Sequence, residues 1–425
     1  MPSSSPASTA QNDQEIRLLR EADTCVKCGL CLPQCPTYVL AADEAESPRG
    51  RIALLQGLLS GALPVTPALR THLDHCLNCR HCEVVCPAEV PYGRLIDGAR
   101  AALRARGHRA PFVVRLLHGL APRHGVLRRL GQAARLAQAL GLLALVRALA
   151  PRQGLVHRLA ALAAQSRPGA PPPSFTPARV PRRGAVTLFR GCIADAFDTP
   201  TREAARMLLA AAGYDVHVPE GQTCCGALHL HDGDTATARM LARQNQIALD
   251  SDEREAIVTT ASGCGAQLAE YGAALGQEQG GFRRPVMDVC AFLARTGLPP
   301  DFAFAPLNRR VALHTPCTLR NVQRAPDAAA VLLARIPGLV LSPLSSAGCC
   351  GAAGSQLLTA GAQADALAGR LAQEIITCRA ELVLTSNIGC ALNLRLALAR
   401  AGAAHIEVMH PVALLARQMT AEHAP

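Results

Sequence analysis

The sequence predicts a multidomain fold, in which a mostly helical N-terminal part is followed by two copies of an α/β unit. Three observations lead to this prediction. The chain has 425 residues, which is enough for two or three domains of ordinary size. Eight cysteines form two matching groups within the first 98 residues. A different cysteine pattern occurs twice between residues 185 and 425.

The composition narrows the class of protein. Hydrophobic residues make up 49% of the chain and charged residues 18%, so cores can form and extensive disorder is excluded. Aromatic residues reach only 3%, which argues against a base-stacking nucleic-acid interface. The N-terminus has no apolar export signal, and the best spanning candidate, Leu136 to Ala150, is short and interrupted by Arg147. We therefore expect a cytoplasmic protein, whose 18 cysteines serve metal or redox chemistry.

The N-terminal cysteines have the spacing of a two-cluster ferredoxin. Each group reads Cys-x2-Cys-x2-Cys-x3-Cys-Pro. In this pattern three thiolates bind one [4Fe-4S] cluster, and the fourth thiolate reaches the other cluster. The predicted metal ligands are Cys25, Cys28, Cys31 and Cys86 for cluster 1, and Cys76, Cys79, Cys82 and Cys35 for cluster 2. Zinc sites are the alternative, but they prefer two cysteine pairs separated by a longer gap.

The stretch between the two groups has helical periodicity. Ile52, Leu55 and Leu59 recur at helical spacing, and residues 68–77 form a second candidate helix. A minimal ferredoxin would be a compact, β-rich module. We therefore expect a helical ferredoxin domain at residues 1–98, of the kind used as an electron-transfer subunit of a larger enzyme.

A basic helical segment is predicted at residues 99–165. Residues 98–194 contain 17 Arg and no Asp or Glu, whereas the remainder is net acidic because the whole chain carries +11. Apolar side chains within residues 112–120 and 127–149 recur on helical faces. Such helices lie on anionic lipid surfaces, so we expect peripheral attachment to the inner face of the cell membrane. A solvated surface and a dock for an acidic partner subunit are the alternatives, and nucleic-acid binding is not expected.

Residues 166–184 contain six Pro and predict a stiff linker. The two repeated units follow at residues 185–300 and 301–425. Short apolar runs at residues 185–189, 257–260, 310–314 and 382–385 alternate with helical stretches, which is typical of α/β units. Key cysteines follow these predicted strands, where open α/β sheets bind their ligands.

Each unit contains an adjacent cysteine pair followed by Gly226 or Gly351. Two adjacent thiols can ligate one centre when a glycine permits the backbone turn. The repeated cysteines are therefore candidates for a redox role or a further iron–sulfur cluster, and ordinary burial in the core is the alternative. They are Cys192, Cys224, Cys225 and Cys264 in the first unit, and Cys317, Cys349, Cys350 and Cys390 in the second. Cys290 and Cys378 lack a counterpart in the other unit, so we expect them in the core.

Together these patterns resemble a known family. The repeated Cys-Cys-Gly pattern after two ferredoxin motifs is similar to the cysteine-rich (CCG) domains of heterodisulfide reductase subunits. Longer phrases resemble the iron–sulfur subunits of bacterial glycolate oxidase (glycolate dehydrogenase) complexes, over about residues 24–415; they include CVKCGLCLPQCPTY, SPRGRIALL, HLDHCLNCRHCEVVCPAEVPYGRLID, TASGCGAQLAEYG, TPCTL and SNIGCALNL. One departure is that Cys264 and Cys390 stand alone, whereas heterodisulfide reductase relatives often have Cys-x2-Cys there.

The resemblance implies an electron-transfer subunit with no catalytic residue of its own. It implies flavoprotein partner subunits that carry FAD and the substrate site, and a quinone-type acceptor. The implied reaction is oxidation of glycolate to glyoxylate. Alternatives are the corresponding subunit of an anaerobic glycerol-3-phosphate or lactate dehydrogenase, a heterodisulfide-reductase-like subunit, or a non-catalytic metal-binding scaffold.

Four histidines lie near the cysteine motifs: His229, His231, His314 and His410. We expect surface or structural roles for them, with metal ligation or proton relay as the alternative.

Overall fold

The computed structural model describes residues 6–151, 154–165, 181–251, 253–274, 281–299, 302–344 and 349–419. Most of the predicted linker, residues 166–180, lies outside these ranges. Helices are the regular elements of the N-terminal part and the basic segment, and loops connect them. Their helices are α1 (Pro6–Asp23), α2 (Pro36–Ala41), α3 (Pro48–Leu59), α4 (Pro67–Asp74), α5 (His81–Val84), α6 (Tyr92–Ala105), α7 (Phe112–Leu120), α8 (His124–Ala139), α9 (Leu142–Leu149) and α10 (Leu155–Ala163), with one 3₁₀ turn at Glu44–Glu46.

The helices of the ferredoxin part start at sequence-encoded caps. Helices α2, α3 and α4 each begin with a proline, which loses no hydrogen bond in the first helical turn. The hydroxyl oxygens of Ser47 and Thr66 accept hydrogen bonds from backbone N–H groups of α3 and α4. Leu55 of α3 and Leu73 of α4 are fully buried against α6, which continues past residue 98. The two helices predicted between the cysteine groups are confirmed as α3 and α4.

Each repeated unit contains a four-stranded parallel sheet. The strands are β1 (Gly184–Phe189), β2 (Tyr214–His217), β3 (Ile257–Thr259) and β4 (Val286–Asp288) in the first unit, and β5 (Arg310–His314), β6 (Val340–Pro343), β7 (Leu382–Thr385) and β8 (Glu407–Met409) in the second. The spatial orders are β2-β1-β3-β4 and β6-β5-β7-β8, so the second sheet repeats the order of the first. All six strand pairs are parallel. The prediction of two repeated α/β units is confirmed.

Helices cover the faces of both sheets. In the first unit they are α11 (Ile193–Phe197), α12 (Thr199–Ala211), α13 (Ala227–Leu230), α14 (Thr235–Leu249), α15 (Ser262–Ala269), α16 (Tyr271–Ala274) and α17 (Val289–Thr296). In the second they are α18 (Cys317–Asn321), α19 (Ala328–Leu333), α20 (Gln356–Thr359), α21 (Gly361–Thr377), α22 (Ile388–Arg400) and α23 (Pro411–Arg417).

The two units pack against each other reciprocally. Helix α12 of the first unit contacts α23 of the second, and α19, which corresponds to α12, contacts α17, which corresponds to α23. Apolar side chains of both units merge into one core, in which Leu208, Phe292, Val311 and Leu333 are fully buried. The carboxyl ends of the two sheets are also joined, because the Ser262 N–H donates to the Ser386 carbonyl oxygen at 3.0 Å. This arrangement brings the cysteine-bearing edges of both sheets to one side of the molecule.

The basic segment bridges the two units and leaves one helix uncovered. Leu127 of α8 packs on the first unit, and α10 contacts α20 and α22 of the second. Helix α9 between them has no buried residue. Gly141, with φ 73°, breaks the predicted helical stretch 127–149 into α8 and α9. Within the ranges that the structure describes, no helix combines the length and the apolar character that a bilayer crossing requires.

Candidate iron–sulfur and cysteine-rich sites

The first ferredoxin group surrounds a cavity beside α3. Cys25, Cys28 and Cys31 lie on the loop between α1 and α2, where Lys27 and Gly29 have positive φ angles of 55° and 87° that curl the loop. Cys86, from the second motif, lines the same cavity. The structure therefore brings together the four thiols that the spacing assigned to cluster 1.

The second ferredoxin group surrounds an adjacent cavity. Cys76, Cys79 and Cys82 line it together with Cys35 from the first motif. Cys82 also lines the first cavity, so the two cavities share a wall. Desolvation by burial raises the pKa of Cys79 and Cys82 well above the usual range. Buried, converging thiols of this kind are destabilised as free thiolates, and a cationic cluster core is a partner that fits them.

Hydrogen-bond donors surround the sulfur atoms of the second group. The Tyr92 hydroxyl donates to Cys76 Sγ at 3.6 Å, and Thr37 Oγ1 lies 3.3 Å from Cys35 Sγ. The guanidinium of Arg51 is buried beside Cys35 and pairs with Glu46 at 2.5 Å. The cysteine spacing gives no sign of these polar groups, although Thr37, Arg51 and Tyr92 all lie within the matched phrases. They are arranged to stabilise negative charge on sulfur.

Glu46 stays charged although it is buried. Burial alone would raise its pKa, but hydrogen bonds from His75 and His72 and the charge of Arg51 lower it below the usual value. Nδ1 of His72 and Nδ1 of His75 lie 2.8 and 3.0 Å from the same carboxylate oxygen, Oε1. Arg51 is therefore held in place by a complete network of partners.

In the second repeated unit the four cysteines converge on the carboxyl end of the sheet. Cys317 follows β5, Cys390 follows β7, and the Cys349–Cys350 pair follows β6. Cys350 Sγ lies 2.7 Å from Cys390 Sγ, and Cys317 and Cys349 share a further thiol hydrogen bond. The φ angle of Gly351 is 74°, as the predicted turn requires. The thiols of Cys350 and Cys390 and a nitrogen of His314 form a group that could hold a metal ion.

The first unit has the same arrangement with a difference at one position. Cys192 Sγ lies 3.6 Å from Cys224 Sγ, and Cys225 shares a hydrogen bond with Cys264. Gly226 has a φ angle of 84°. Phe189 stands at the end of β1, where His314 stands at the end of β5. This phenylalanine packs with Cys225 and supplies no ligand atom.

The histidines near the cysteines fall into different environments. His231 is partly exposed and lies 2.9 Å from Asp97, and Nδ1 of His410 accepts a hydrogen bond from the Val412 N–H at the start of α23. His229 is buried against His118, with ring centroids 5.4 Å apart. Burial lowers the pKa of His118 to about 4 and that of His314 to about 4, so both rings are neutral. His118 lies in the basic segment, and the sequence analysis did not identify it.

The ferredoxin part is docked on the repeated units through polar contacts. Arg80 donates two 3.0 Å hydrogen bonds to the two carboxylate oxygens of Glu270 in the first unit. Asn321 of the second unit donates to the Cys79 carbonyl oxygen at 2.7 Å. Cys79 also belongs to a buried cluster with Cys349, against which Cys317 packs. The second ferredoxin group thus lies directly against the cysteines of the second unit.

Cys290 and Cys378 lie apart from these groups. Cys290 is fully buried in the core shared by the units, and Cys378 is half-buried at the end of α21.

Comparisons with known proteins agree with this architecture. A family model described as a 4Fe-4S dicluster domain matches residues 21–90, and one described as a cysteine-rich domain (CCG) matches residues 186–269 and 311–395. The probable glycolate oxidase iron-sulfur subunit of Bacillus subtilis is 32% identical over 401 residues and covers 89% of both chains. The glycolate oxidase iron-sulfur subunit of Escherichia coli is 33% identical over 404 residues, which are 91% of this chain and 93% of that one.

A shorter relative matches about half of the chain. Lactate utilization protein A of Geobacillus kaustophilus is 30% identical over 233 residues, which are 53% of this chain and 95% of that protein. The two relatives named for glycolate oxidase match nearly the whole chain, and the resemblance noted in the sequence is confirmed. Iron–sulfur clusters are the cofactors that the matched domains describe. The chain belongs to the family of glycolate oxidase iron–sulfur subunits, the electron-transfer components of an oxidoreductase complex.

Proposed function

We propose that this chain carries electrons for a flavin-dependent oxidase that converts glycolate to glyoxylate, and that it delivers them to a quinone-type acceptor. The names of the two relatives that match nearly the whole chain support glycolate as the substrate. The observation that carries the proposal is the row of adjacent thiol groups. The two ferredoxin cavities share Cys82, and Cys79 packs into one buried cluster with Cys349 of the second unit.

Within this proposal, each ferredoxin cavity holds one [4Fe-4S] cluster. The ligands of cluster 1 are Cys25, Cys28, Cys31 and Cys86; those of cluster 2 are Cys76, Cys79, Cys82 and Cys35. The grouping of these side chains around two cavities supports both sets. We also propose domain limits at residues 98, 165, 184 and 300. The eight cysteines of the repeated units are candidate redox residues.

The chemistry of the complex divides between subunits. Oxidation of glycolate releases two electrons and two protons, which FAD on a partner flavoprotein would accept together. The two electrons would then pass one at a time to the [4Fe-4S] clusters, and the two protons would leave the flavin to solvent. The residues of this chain hold the carriers close together and keep water away from the second cavity. Arg51 directs an N–H group toward Cys35 Sγ, and Tyr92 directs its O–H group toward Cys76 Sγ. No residue of this chain needs to touch the substrate.

The test uses the complex isolated anaerobically from its source through a tag on this chain. We expect bound flavin, and glycolate should bleach the cluster absorption and produce the electron paramagnetic resonance (EPR) signal of reduced clusters. Lactate or glycerol 3-phosphate acting in place of glycolate would support the corresponding alternative dehydrogenase, which the relative named for lactate utilization makes worth testing. A colourless complex containing zinc and no iron would overturn the electron-transfer role.

We further propose that the basic segment attaches the chain to the inner face of the cell membrane, where a quinone is accessible. The segment from residue 98 to 194 has 17 Arg and no acidic residue. Leu140 at the end of α8 is 64% exposed, and Leu149 at the end of α9 is 78% exposed. Phe112 and Leu116 of α7 add further exposed apolar surface. Exposed leucines among arginines are typical of helices that insert into anionic lipid surfaces.

Vesicle sedimentation tests this attachment. The chain should bind vesicles containing anionic lipid, release at high salt, and lose binding when Leu145 and Leu149 are replaced by Ser. The matched control replaces Val331 and Ile247 with Ser. Both side chains are also exposed, but they lie on the repeated units. Binding by the control but not by the α9 variant supports the proposal. Absence of binding by the unaltered chain would instead favour docking of an acidic partner subunit on α9.

A further inference from the structure

The two repeated units differ at the residue that faces their cysteines from the central strand. In the first unit Phe189 pairs in register with Thr259, and in the second His314 pairs with Thr385. The cysteines around these positions correspond one for one. The second unit therefore offers a nitrogen donor at a place where the first unit has a hydrocarbon ring.

His314 is held in the orientation of a metal ligand. Its ring is 3% exposed, and Nδ1 lies 2.9 Å from Thr385 Oγ1. In the tautomer in which Nδ1–H donates to Thr385 Oγ1, the lone pair is on Nε2. That Nε2 is buried and has no hydrogen-bond partner among the residues that the structure describes. Leaving a buried ring nitrogen unpaired is costly, so its persistence points to a missing partner.

Two thiols lie close to the His314 ring. A ligand nitrogen of His314 and the Sγ atoms of Cys350 and Cys390 all lie within 4.8 Å of one another. Asn387 Nδ2 donates to Cys390 Sγ at 3.6 Å, which supports a negative charge on that sulfur. The thiols of Cys317 and Cys349 share a hydrogen bond beside this group.

We propose that the second unit holds an iron–sulfur centre in which His314 Nε2 is a ligand beside the thiolates of Cys350 and Cys390, and that the first unit lacks an equivalent centre. Iron fits this mixed set, because imidazole can replace thiolate on an iron–sulfur centre. Such replacement raises the reduction potential, which makes this centre a suitable last carrier after cluster 2. The inference adds one carrier to the electron route proposed above, but its metal content can be measured without any partner subunit.

The experiment uses the full chain purified anaerobically, with iron, zinc and sulfide determined per chain. The two ferredoxin clusters account for about eight irons, so the unaltered chain should contain more than eight. His314→Phe copies the first unit and should return the iron content to about eight while leaving both ferredoxin EPR signals in place. His314→Cys supplies a thiolate instead; it should keep the extra iron, lower the midpoint potential of the extra signal, and remove its nitrogen coupling in pulsed EPR.

A second buried histidine of the same unit provides the matched control. His410→Asn keeps an acceptor for the Val412 N–H and should retain both the extra iron and its nitrogen coupling. The proposal is overturned if the unaltered chain holds only about eight irons, if His314→Phe keeps the extra signal unchanged, or if the extra metal is zinc. In each of these outcomes the two ferredoxin signals remain, so the electron-transfer function would still stand; loss of those signals from the unaltered chain would contradict that function instead.

Discussion

Nη1 of Arg51 lies 4.0 Å from Sγ of Cys35, and Arg51 is only 2% exposed. A buried cation beside the proposed cluster 2 favours the reduced, more negative state. At roughly 6 Å and an effective dielectric constant of about 20, one charge contributes about 3 kcal/mol. For a one-electron couple this equals about 120 mV.

Replacing Arg51 with Met should therefore lower the midpoint potential of cluster 2. We expect a shift of about 50–100 mV, because Glu46 will be partly protonated once its partner is lost and will offset part of the change. Redox titration followed by EPR measures it. Arg94→Met is the control, since the Arg94 side chain lines neither cavity, is 55% exposed and has its charge screened by water. An unchanged potential in Arg51→Met would refute electrostatic tuning by this residue.

The paired hydrogen bonds between Arg80 and Glu270 should hold the ferredoxin part on the first unit. Arg80→Gln together with Glu270→Gln removes the charge pair while keeping polar side chains. Both side chains are partly exposed, at 18% and 39%. We therefore expect their loss to lower the free energy of local opening by only about 1 kcal/mol, which makes opening about fivefold more frequent.

Hydrogen–deuterium exchange measures this opening. Exchange should increase in α15, which ends beside Glu270; residues 76–84 also respond to loss of the Arg80–Glu83 pair and are not the readout. Arg106 and Glu15 form a similar two-point pair within the ferredoxin part, and its removal should leave α15 unaffected. Equal exchange of α15 in both double variants would argue that other contacts, such as the one from Asn321, determine the docking.

Alanine substitutions at three glycines with similar φ angles distinguish backbone strain from crowding of the added methyl group. A Cβ on Gly402 would meet open space, one on Gly226 would lie 3.3 Å from the Ala238 carbonyl oxygen, and one on Gly351 would lie 2.7 Å from the Ala364 carbonyl oxygen. All three Ala variants should lose about 1–2 kcal/mol to left-handed strain. Gly351→Ala should lose about 1–3 kcal/mol more, because backbone atoms must move.

Chemical denaturation of the three variants measures the order of stability. We expect Gly402→Ala to be the most stable, Gly226→Ala to be close to it, and Gly351→Ala to be clearly less stable and to hold less iron. Similar midpoints for all three would mean that α21 shifts freely to make room for the new methyl group.

The sequence was sufficient to predict the central strands and insufficient for the outer ones. Strands β1, β3, β5 and β7 are buried on both faces, so they appear as continuous apolar runs and were predicted to within one residue at each end. Strands β2 and β6 are partly exposed four-residue edge strands with no regular alternation, and β4 and β8 have only three residues. Their pairing comes from the sheet around them and not from their own pattern.

The candidate sites show the same division. Cysteine spacing is a local property, and the thiols that it groups line common cavities, with Cys82 lining both. The donors around the sulfur atoms depend on contacts between distant parts of the chain, such as Asn321 with the Cys79 carbonyl oxygen, 242 residues apart. The sequence contains Phe189 and His314, but only the strand register shows that they occupy equivalent positions in the two units.

Asp288 should make the first unit less stable as pH rises. Its side chain is fully buried at the start of α17, where Oδ1 accepts a hydrogen bond from the Cys290 N–H at 2.8 Å. Burial raises its pKa from 3.8 to about 7. Between these values the folded chain holds a proton that the unfolded chain has released, so stability is highest below about pH 4 for this group and falls until about pH 7.

Asp288→Asn keeps the oxygen acceptor and removes the titration. The variant should therefore gain stability over the unaltered chain as pH rises from 5 to 8, by up to about 3 kcal/mol, since each pKa unit corresponds to about 1.4 kcal/mol. Denaturation midpoints of both proteins at the two pH values measure the gain. Asp327→Asn, at the exposed start of α19, is the control and should give the same small difference at both pH values. A gain for Asp288→Asn that does not depend on pH would mean that this carboxyl group is ionised in the folded chain at pH 5, with water or a conformational change compensating its charge.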